Sequence, residues 1–79
     1  MAACVSAIER VESLFSWDGE IEKEKEVLLT IKTLRCNFDK IKTLITELHP
    51  YNVPEIIALP IVECSKEYLQ WLVHETKQS

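Results

Sequence analysis

Three residues with metal-ligating side chains lie far apart in this sequence: Cys4, His49 and Glu55. A thiolate, an imidazole and a carboxylate are soft, intermediate and hard ligands, and cysteine with histidine suits copper or zinc. Tyr51 and Asn52 lie between the last two, in the stretch LHPYNVPEIIALP. Because the short ligand spacing of a zinc finger is absent, any metal site would depend on the fold to bring these side chains together.

The same residues also have a structural interpretation. Cys4 is a small side chain suited to a core, and His49 follows a helical pattern, where it can cap helix carbonyls. Pro50 restricts His49 to extended backbone, so the stretch is also typical of a helix-to-strand connection. The residue pattern alone favours this structural interpretation and leaves the metal site as the alternative.

No motif for catalysis or nucleic-acid binding is present. A nucleophile needs a neighbouring base that a third group orients, and neither His49 nor His74 has such neighbours in the sequence. Gly19 is the single glycine, which argues against a glycine-rich phosphate loop. The formal charge is −4 with nine lysines and arginines, whereas nucleic-acid affinity comes largely from phosphate neutralisation. We therefore predict a non-enzymatic protein with no nucleic-acid partner.

Length and composition predict one domain over residues 1–79, with 47% hydrophobic residues. The cysteines, Cys4, Cys36 and Cys64, are odd in number and widely spaced, which indicates free thiols in a reducing compartment. A run of about 18 apolar residues is absent, and the first residues do not resemble a signal peptide. We therefore predict a cytoplasmic location.

Two alternating runs on either side of Asp18-Gly19 predict a β-hairpin, because glycine accepts positive φ without steric cost. Residues 3–17 alternate except at Ile8-Glu9, where a bulge would restore the phase. Residues 27–33 alternate again, and the charged residues 20–26 are expected to extend the hairpin into solvent. The alternation places one set of side chains on a common face: Ala3, Val5, Ala7, Val11, Phe15 and Trp17.

A helix and a strand are predicted to follow the hairpin. Asn37 can cap a helix whose apolar stripe continues to Leu48. Residues 55–62 are apolar on both alternations, as in a strand covered on both faces, although Pro60 requires an edge, a bulge or the strand's end.

A second helix, 66–77 with Ser65 as its cap, ends the predicted order of hairpin, helix, strand, helix. Its inward residues are expected to be Tyr68, Leu69, Leu72 and Val73. Trp71 lies off that stripe and indicates a second burial surface, such as a subunit contact. In an oligomeric scaffold, Trp17, Tyr68 and Trp71 would serve subunit packing.

The order of motifs resembles the CutA divalent-ion tolerance family. The motifs are AACV, SLFSWDGEIEKEKEVLLTIKT, LHPYNVPEIIALP and YLQWL, and they cover nearly the whole chain. The resemblance implies an α+β ferredoxin-like sandwich, β-α-β-β-α-β, related to PII signalling proteins and assembled as a homotrimer. It implies copper or other divalent-cation binding, with Cys4 and His49 as ligands and Tyr51 and Glu55 nearby, and no established enzymatic activity.

The resemblance also implies an alternative role, because the animal members are linked to acetylcholinesterase anchoring at the membrane. On that reading the chain is an oligomeric scaffold with a protein partner at the membrane, and its metal binding is incidental.

The sequence departs from the family pattern in two places, and each departure predicts a change in the site or in the fold. Asn52 takes the place of a usual glutamate, which would weaken a cation site that used this carboxylate. Family members have a strand and a helix before the AACV motif, so we expect an N-terminally truncated form that lacks a central strand. We hypothesise that the chain alone is marginally stable, because unpaired strand edges are costly, and that it needs co-trimerisation with full-length subunits.

Overall fold

The computed structural model describes residues 1–49 and 53–78, and it confirms the predicted α+β class. A two-stranded antiparallel hairpin is followed by a short 3-10 turn and two helices. The elements are β1 (Cys4–Trp17), β2 (Glu20–Lys32), the 3-10 turn (Arg35–Asn37), α1 (Phe38–Leu48) and α2 (Lys66–Gln78).

The hairpin closes through the predicted Asp18-Gly19 turn. Trp17 pairs with Glu20, and the two turn residues have φ values of 51° and 78°. Two consecutive positive φ values are characteristic of a type I′ turn, whose twist matches that of the flanking strands. The charged residues 20–26 are paired with β1 along their whole length, so they extend the hairpin as expected.

The predicted bulge is confirmed, but its effect differs from the expectation. The register shifts between Ile8 and Val11, so that Glu9 and Arg10 lie opposite Val27 alone, and Arg10 has a φ of 61°. Directly paired residues share a face of the hairpin. The extra residue in β1 therefore moves the side chains after the bulge to the opposite face from the one that strict alternation would give them. Val5 and Ala7 therefore face the opposite side from Val11, Phe15 and Trp17, and the single common face predicted for these residues was wrong.

Helix α1 ends at Leu48 as predicted, but Asn37 does not cap it through its side chain. The 3-10 turn precedes the helix, and within it the amide of Asn37 donates to the Leu34 carbonyl and that of Phe38 to the Arg35 carbonyl. The Asn37 side-chain amide instead donates to the carbonyl of Met1 at 3.0 Å and to Oγ1 of Thr33 at 3.2 Å. Asn37 therefore joins the start of the chain to the end of the hairpin.

The strand predicted at 55–62 is not formed. Residues 54–65 have no regular secondary structure, and the one sheet among the described residues contains β1 and β2 only. A strand exists only when a neighbour accepts and donates its backbone hydrogen bonds, and an apolar pattern cannot supply that neighbour. Pro54 and Pro60 also lack the amide hydrogen needed for pairing.

Helix α2 is capped as predicted, since the amide of Tyr68 donates to Oγ of Ser65 at 3.3 Å. Two residues four apart on this helix are buried: Leu72 is 2% exposed and Thr76 is 4% exposed. The hydroxyl of Thr76 donates to the Leu72 carbonyl at 2.6 Å, which satisfies this buried polar group. Tyr68 and Leu69 are exposed, so the inward stripe was predicted correctly at Leu72 and wrongly at these two residues.

The molecule is extended and has little core. Its radius of gyration is 15.1 Å, against about 12 Å for a compact 79-residue domain. It exposes 7000 Å² of surface, against about 4,900 Å² for a compact protein of 9.2 kDa. Leu72 is the single buried hydrophobic residue in the described part of the chain. Residues 1–49 and 53–78 of a single chain therefore do not close around a hydrophobic core.

Candidate functional site

Cys4 begins β1 and is half-buried opposite Lys32. Its Sγ lies 3.9 Å from the Oγ of Ser6, two residues along the same face of the strand. The thiol is free, as are those of Cys36 and Cys64, in agreement with the cysteine pattern. A half-buried thiol beside a hydroxyl is compatible with either a packing role or a ligand role.

His49 is the residue at which α1 ends. Its backbone is extended, with φ −82° and ψ 135°, as the following Pro50 requires. Its backbone amide, rather than its imidazole, donates to the carbonyl of Ile45 at 2.8 Å and completes the last turn. The residue is half-buried at the end of α1.

Glu55 is exposed within the irregular segment 54–65, and Tyr51 and Asn52 lie outside the described residues. Across residues 1–49 and 53–78, no three histidine, cysteine, aspartate or glutamate side chains are grouped closely enough to hold a metal ion. Cys4, His49 and Glu55 of one chain are thus not brought together as a three-ligand set. Their assignment as metal ligands stays a prediction.

The three aromatic residues predicted for subunit packing are all partly exposed. Trp17 lies at the tip of the hairpin, as the last residue of β1. Tyr68 and Trp71 lie on α2 with ring centroids 5.6 Å apart and planes tilted by 40°. Sequence reasoning did not pair these two rings, although residues three apart on a helix are neighbours. Together they form one aromatic surface on α2.

An apolar groove lies between α2 and the segment that precedes it. It has a volume of about 470 Å³, and most of its lining is aliphatic. Two of its lining residues, Ile61 and Val62, belong to the apolar run at 55–62 that was predicted to be a strand. Its lining residues are Ile61, Val62, Glu63, Cys64, Leu69 and Leu72.

Comparison with known proteins matches the chain to one family. The sequence model of the CutA1 divalent ion tolerance protein family matches residues 1–75. The divalent-cation tolerance protein CutA of Thermus thermophilus is 46% identical over 76 residues, covering 96% of this chain and 74% of the relative. The chloroplastic protein CutA of Arabidopsis thaliana is 39% identical over 77 residues, covering 98% of this chain and 42% of the relative. The chain thus spans less than half of this plant relative.

Solved structures agree with the sequence comparison. The divalent cation tolerance protein of Thermus thermophilus superposes with a TM-score of 0.90 at 47% identity, covering 95% of this chain and 73% of the solved one. The PII-like protein CutA from Nostoc, in apo form, superposes with a TM-score of 0.84 at 35% identity, over 95% and 73% of the two chains. The fold is therefore that of the CutA and PII-like proteins.

The described helices include none long and apolar enough to cross a membrane. The Arabidopsis relative is named as chloroplastic, and a relative of known structure from Archaeoglobus fulgidus as periplasmic. The cytoplasmic location stays a prediction.

Proposed function

Because the chain belongs to the CutA1 divalent ion tolerance protein family, we propose that it is a homo-oligomeric protein that binds a divalent cation and catalyses no reaction. The family match over residues 1–75 is the observation that carries this proposal. The name of the Thermus relative, a divalent-cation tolerance protein, supports the class of ligand.

The ligands of the proposed site are Cys4 and His49, with Glu55 beside them and Tyr51 and Asn52 near it. Cys4 and His49 are both half-buried, so a cation held by them would be partly withdrawn from bulk water. A thiolate and an imidazole favour copper or zinc over magnesium or calcium. Because Cys4, His49 and Glu55 of one chain are not grouped as a three-ligand set in the described part of the chain, the site is proposed to form between neighbouring subunits.

The oligomer is proposed to be a trimer in which the exposed apolar surface becomes buried. The chain exposes roughly 2,000 Å² more than a compact protein of its mass. Trp17, Tyr68 and Trp71 supply large aromatic contact areas at two separate places, the hairpin tip and α2. Aromatic residues are enriched in subunit contacts because they bury much area with few rotatable bonds.

Calorimetric titration of the full chain with Cu(II) and Zn(II) tests the proposal. We expect binding by the wild-type protein, and at least a tenfold weaker affinity after His49→Ala or Cys4→Ser. His74→Ala is the matched control, since His74 is exposed on α2, and it should bind as the wild type does. Equal affinities in all four proteins would remove Cys4 and His49 from the site. Light scattering on the same samples should give three times the 9.2 kDa chain mass.

An oligomeric scaffold with incidental metal binding is the second candidate function, favoured by the exposed Tyr68–Trp71 pair. Capture of partners from cell extract, with and without a chelator, separates the two functions. A partner set that is unchanged by chelation supports the scaffold, whereas a chelator-sensitive set supports the cation-dependent function.

A further inference from the structure

Four polar side chains lie together on one face of the hairpin, at the end away from its turn. Cys4 pairs directly with Lys32, and Ser6 pairs directly with Thr30. Directly paired residues share a face, and so do alternate residues of one strand. The register therefore places all four residues on the same side of the sheet, and we name them the hairpin-base patch: Cys4, Ser6, Thr30 and Lys32.

The hairpin-base patch has the dimensions of a site for one small chemical group. Directly opposed residues have Cβ atoms about 5 Å apart, and alternate residues of a strand are about 7 Å apart. The Sγ of Cys4 lies 3.9 Å from the Oγ of Ser6, so these two side chains meet along β1. Lys32 carries its ammonium group on a flexible four-carbon stem, which can reach across the patch. A group of a few atoms can thus contact the ammonium and the two hydroxyls together.

The patch offers hydrogen-bond donors that have no acceptor in the described part of the chain. Lys32 is half-buried, yet its ammonium forms no ion pair with residues 1–49 or 53–78. Within the same residues the Thr30 hydroxyl has no hydrogen-bond partner, and the Ser6 hydroxyl meets only the Cys4 thiol. An ammonium group has three donors and no acceptor, and each hydroxyl can donate once. A ligand that accepts hydrogen bonds would satisfy all of these groups.

The charge of the neighbouring segments favours an anion as that ligand. Residues 1–8 and 27–38, which include the hairpin base and the 3-10 turn, contain Lys32 and Arg35 but no aspartate or glutamate. All 13 acidic residues lie elsewhere in the chain, whose formal charge is −4. These two segments are therefore positive on a chain that is negative as a whole, and local positive charge attracts anions.

We propose that the hairpin-base patch binds a small oxyanion, the phosphate or carboxylate group of a small molecule. Lys32 supplies the opposite charge, and the hydroxyls of Ser6 and Thr30 donate to the oxygen atoms. Ile8 and Leu28 form the next pair on the same face, and both are apolar. They end the polar patch on the side of the bulge, so the oxyanion has one position along the strands.

The oxyanion site goes beyond the proposed cation site, although both use the face that carries Cys4. A cation held by the Cys4 thiolate would lie opposite the Lys32 ammonium, and two positive charges at such a distance repel each other. A bound oxyanion would neutralise this repulsion, so the two ligands can occupy the face together. The oxyanion site itself needs no metal, and it stands or fails independently of the cation.

Titration of the full chain with inorganic phosphate tests the proposal, with amide NMR shifts recorded in metal-free buffer at constant ionic strength. We expect saturable shifts that are largest at the four residues of the patch. A parallel titration with succinate distinguishes a carboxylate ligand from a phosphate ligand. Lys32→Met should weaken the affinity about tenfold, because it removes charge-assisted hydrogen bonds, and Thr30→Val about threefold. Lys25→Met, at an exposed position of the same strand, is the matched control and should bind as the wild type does.

Cys4→Ser separates the two sites, since serine keeps a donor at this position but removes the thiolate. This variant should keep the oxyanion affinity and lose the cation affinity. Lys32→Arg keeps the charge and should still bind. Absence of saturable binding by both phosphate and succinate overturns the proposal, as do equal affinities in Lys32→Met and Lys25→Met. If the methionine variant at position 32 unfolds, Thr30→Val decides, and an undiminished affinity in that variant overturns the site.

Discussion

Ser13 donates a hydrogen bond from its Oγ to Oε2 of Glu26 at 2.9 Å, although its direct partner in the register is Glu24. The bond is therefore diagonal across the hairpin, and both residues are half-buried, as is Val11, whereas the rest of residues 11–26 are exposed. Glu26 pairs with Val11, the first residue after the bulge. The bond thus holds the β2 glutamate nearest the bulge in a defined position.

Replacing Ser13 by alanine should lower the free energy of unfolding by about 0.5–1.5 kcal/mol, the usual contribution of such a hydrogen bond. Ser16→Ala is the control, since Ser16 lies on the other face without such a bond, and its change should stay within about 0.5 kcal/mol. Urea unfolding at matched protein concentrations measures both, with the slope unchanged. An equal loss in the two variants would contradict a specific role for the Ser13–Glu26 bond.

Arg10 occupies the bulge with a φ of 61°, a conformation that costs a non-glycine residue about 1–2 kcal/mol. Arg10→Gly should leave the thermal midpoint unchanged or raise it, because relief of this cost offsets the greater flexibility of glycine in the unfolded chain. Arg10→Val should lower it by several degrees, since a β-branched residue is disfavoured at positive φ. A valine variant as stable as the glycine variant would show that the bulge does not hold this conformation in solution.

Leu72→Ala should destabilise the protein by about 2–5 kcal/mol, because it removes a fully buried side chain and leaves a cavity. Leu59, 82% exposed in the irregular segment, is the matched control, and Leu59→Ala should change stability by less than about 0.5 kcal/mol. Denaturant midpoints of the two variants give the comparison. If Leu59→Ala proved the more damaging, segment 54–65 would have to be buried in the assembled protein.

The elements predicted correctly depend on interactions between residues close in sequence. Asp18-Gly19 predicted the turn, because few other pairs accept two positive φ values in succession. Ser65 was predicted to cap α2, and its Oγ accepts a hydrogen bond from the Tyr68 amide three residues later. The interrupted alternation at Ile8-Glu9 predicted the bulge. In each case the physical cause lies within a few residues, where the sequence alone can be interpreted.

The errors concern relationships between distant residues. Asn37 was expected to cap α1, but its amide group binds the Met1 carbonyl, 36 residues away. The apolar run at 55–62 was expected to be a strand, but pairing needs a neighbour at the right distance. The face to which Val5 and Trp17 belong depends on what the bulge does to the register, and only the pairing of the two strands shows that.

The sequence by itself determined the class of the fold, the two helices, the hairpin with its turn and bulge, and the family to which the chain belongs. Tertiary structure decided that, within residues 1–49 and 53–78, Cys4, His49 and Glu55 of one chain are not grouped as a three-ligand set, and that the bulge puts Glu12 on the same side of the hairpin as Lys23 and Lys25. The reason is that local backbone preferences act within a few residues, whereas ligand geometry and surface charge depend on how distant segments pair and pack.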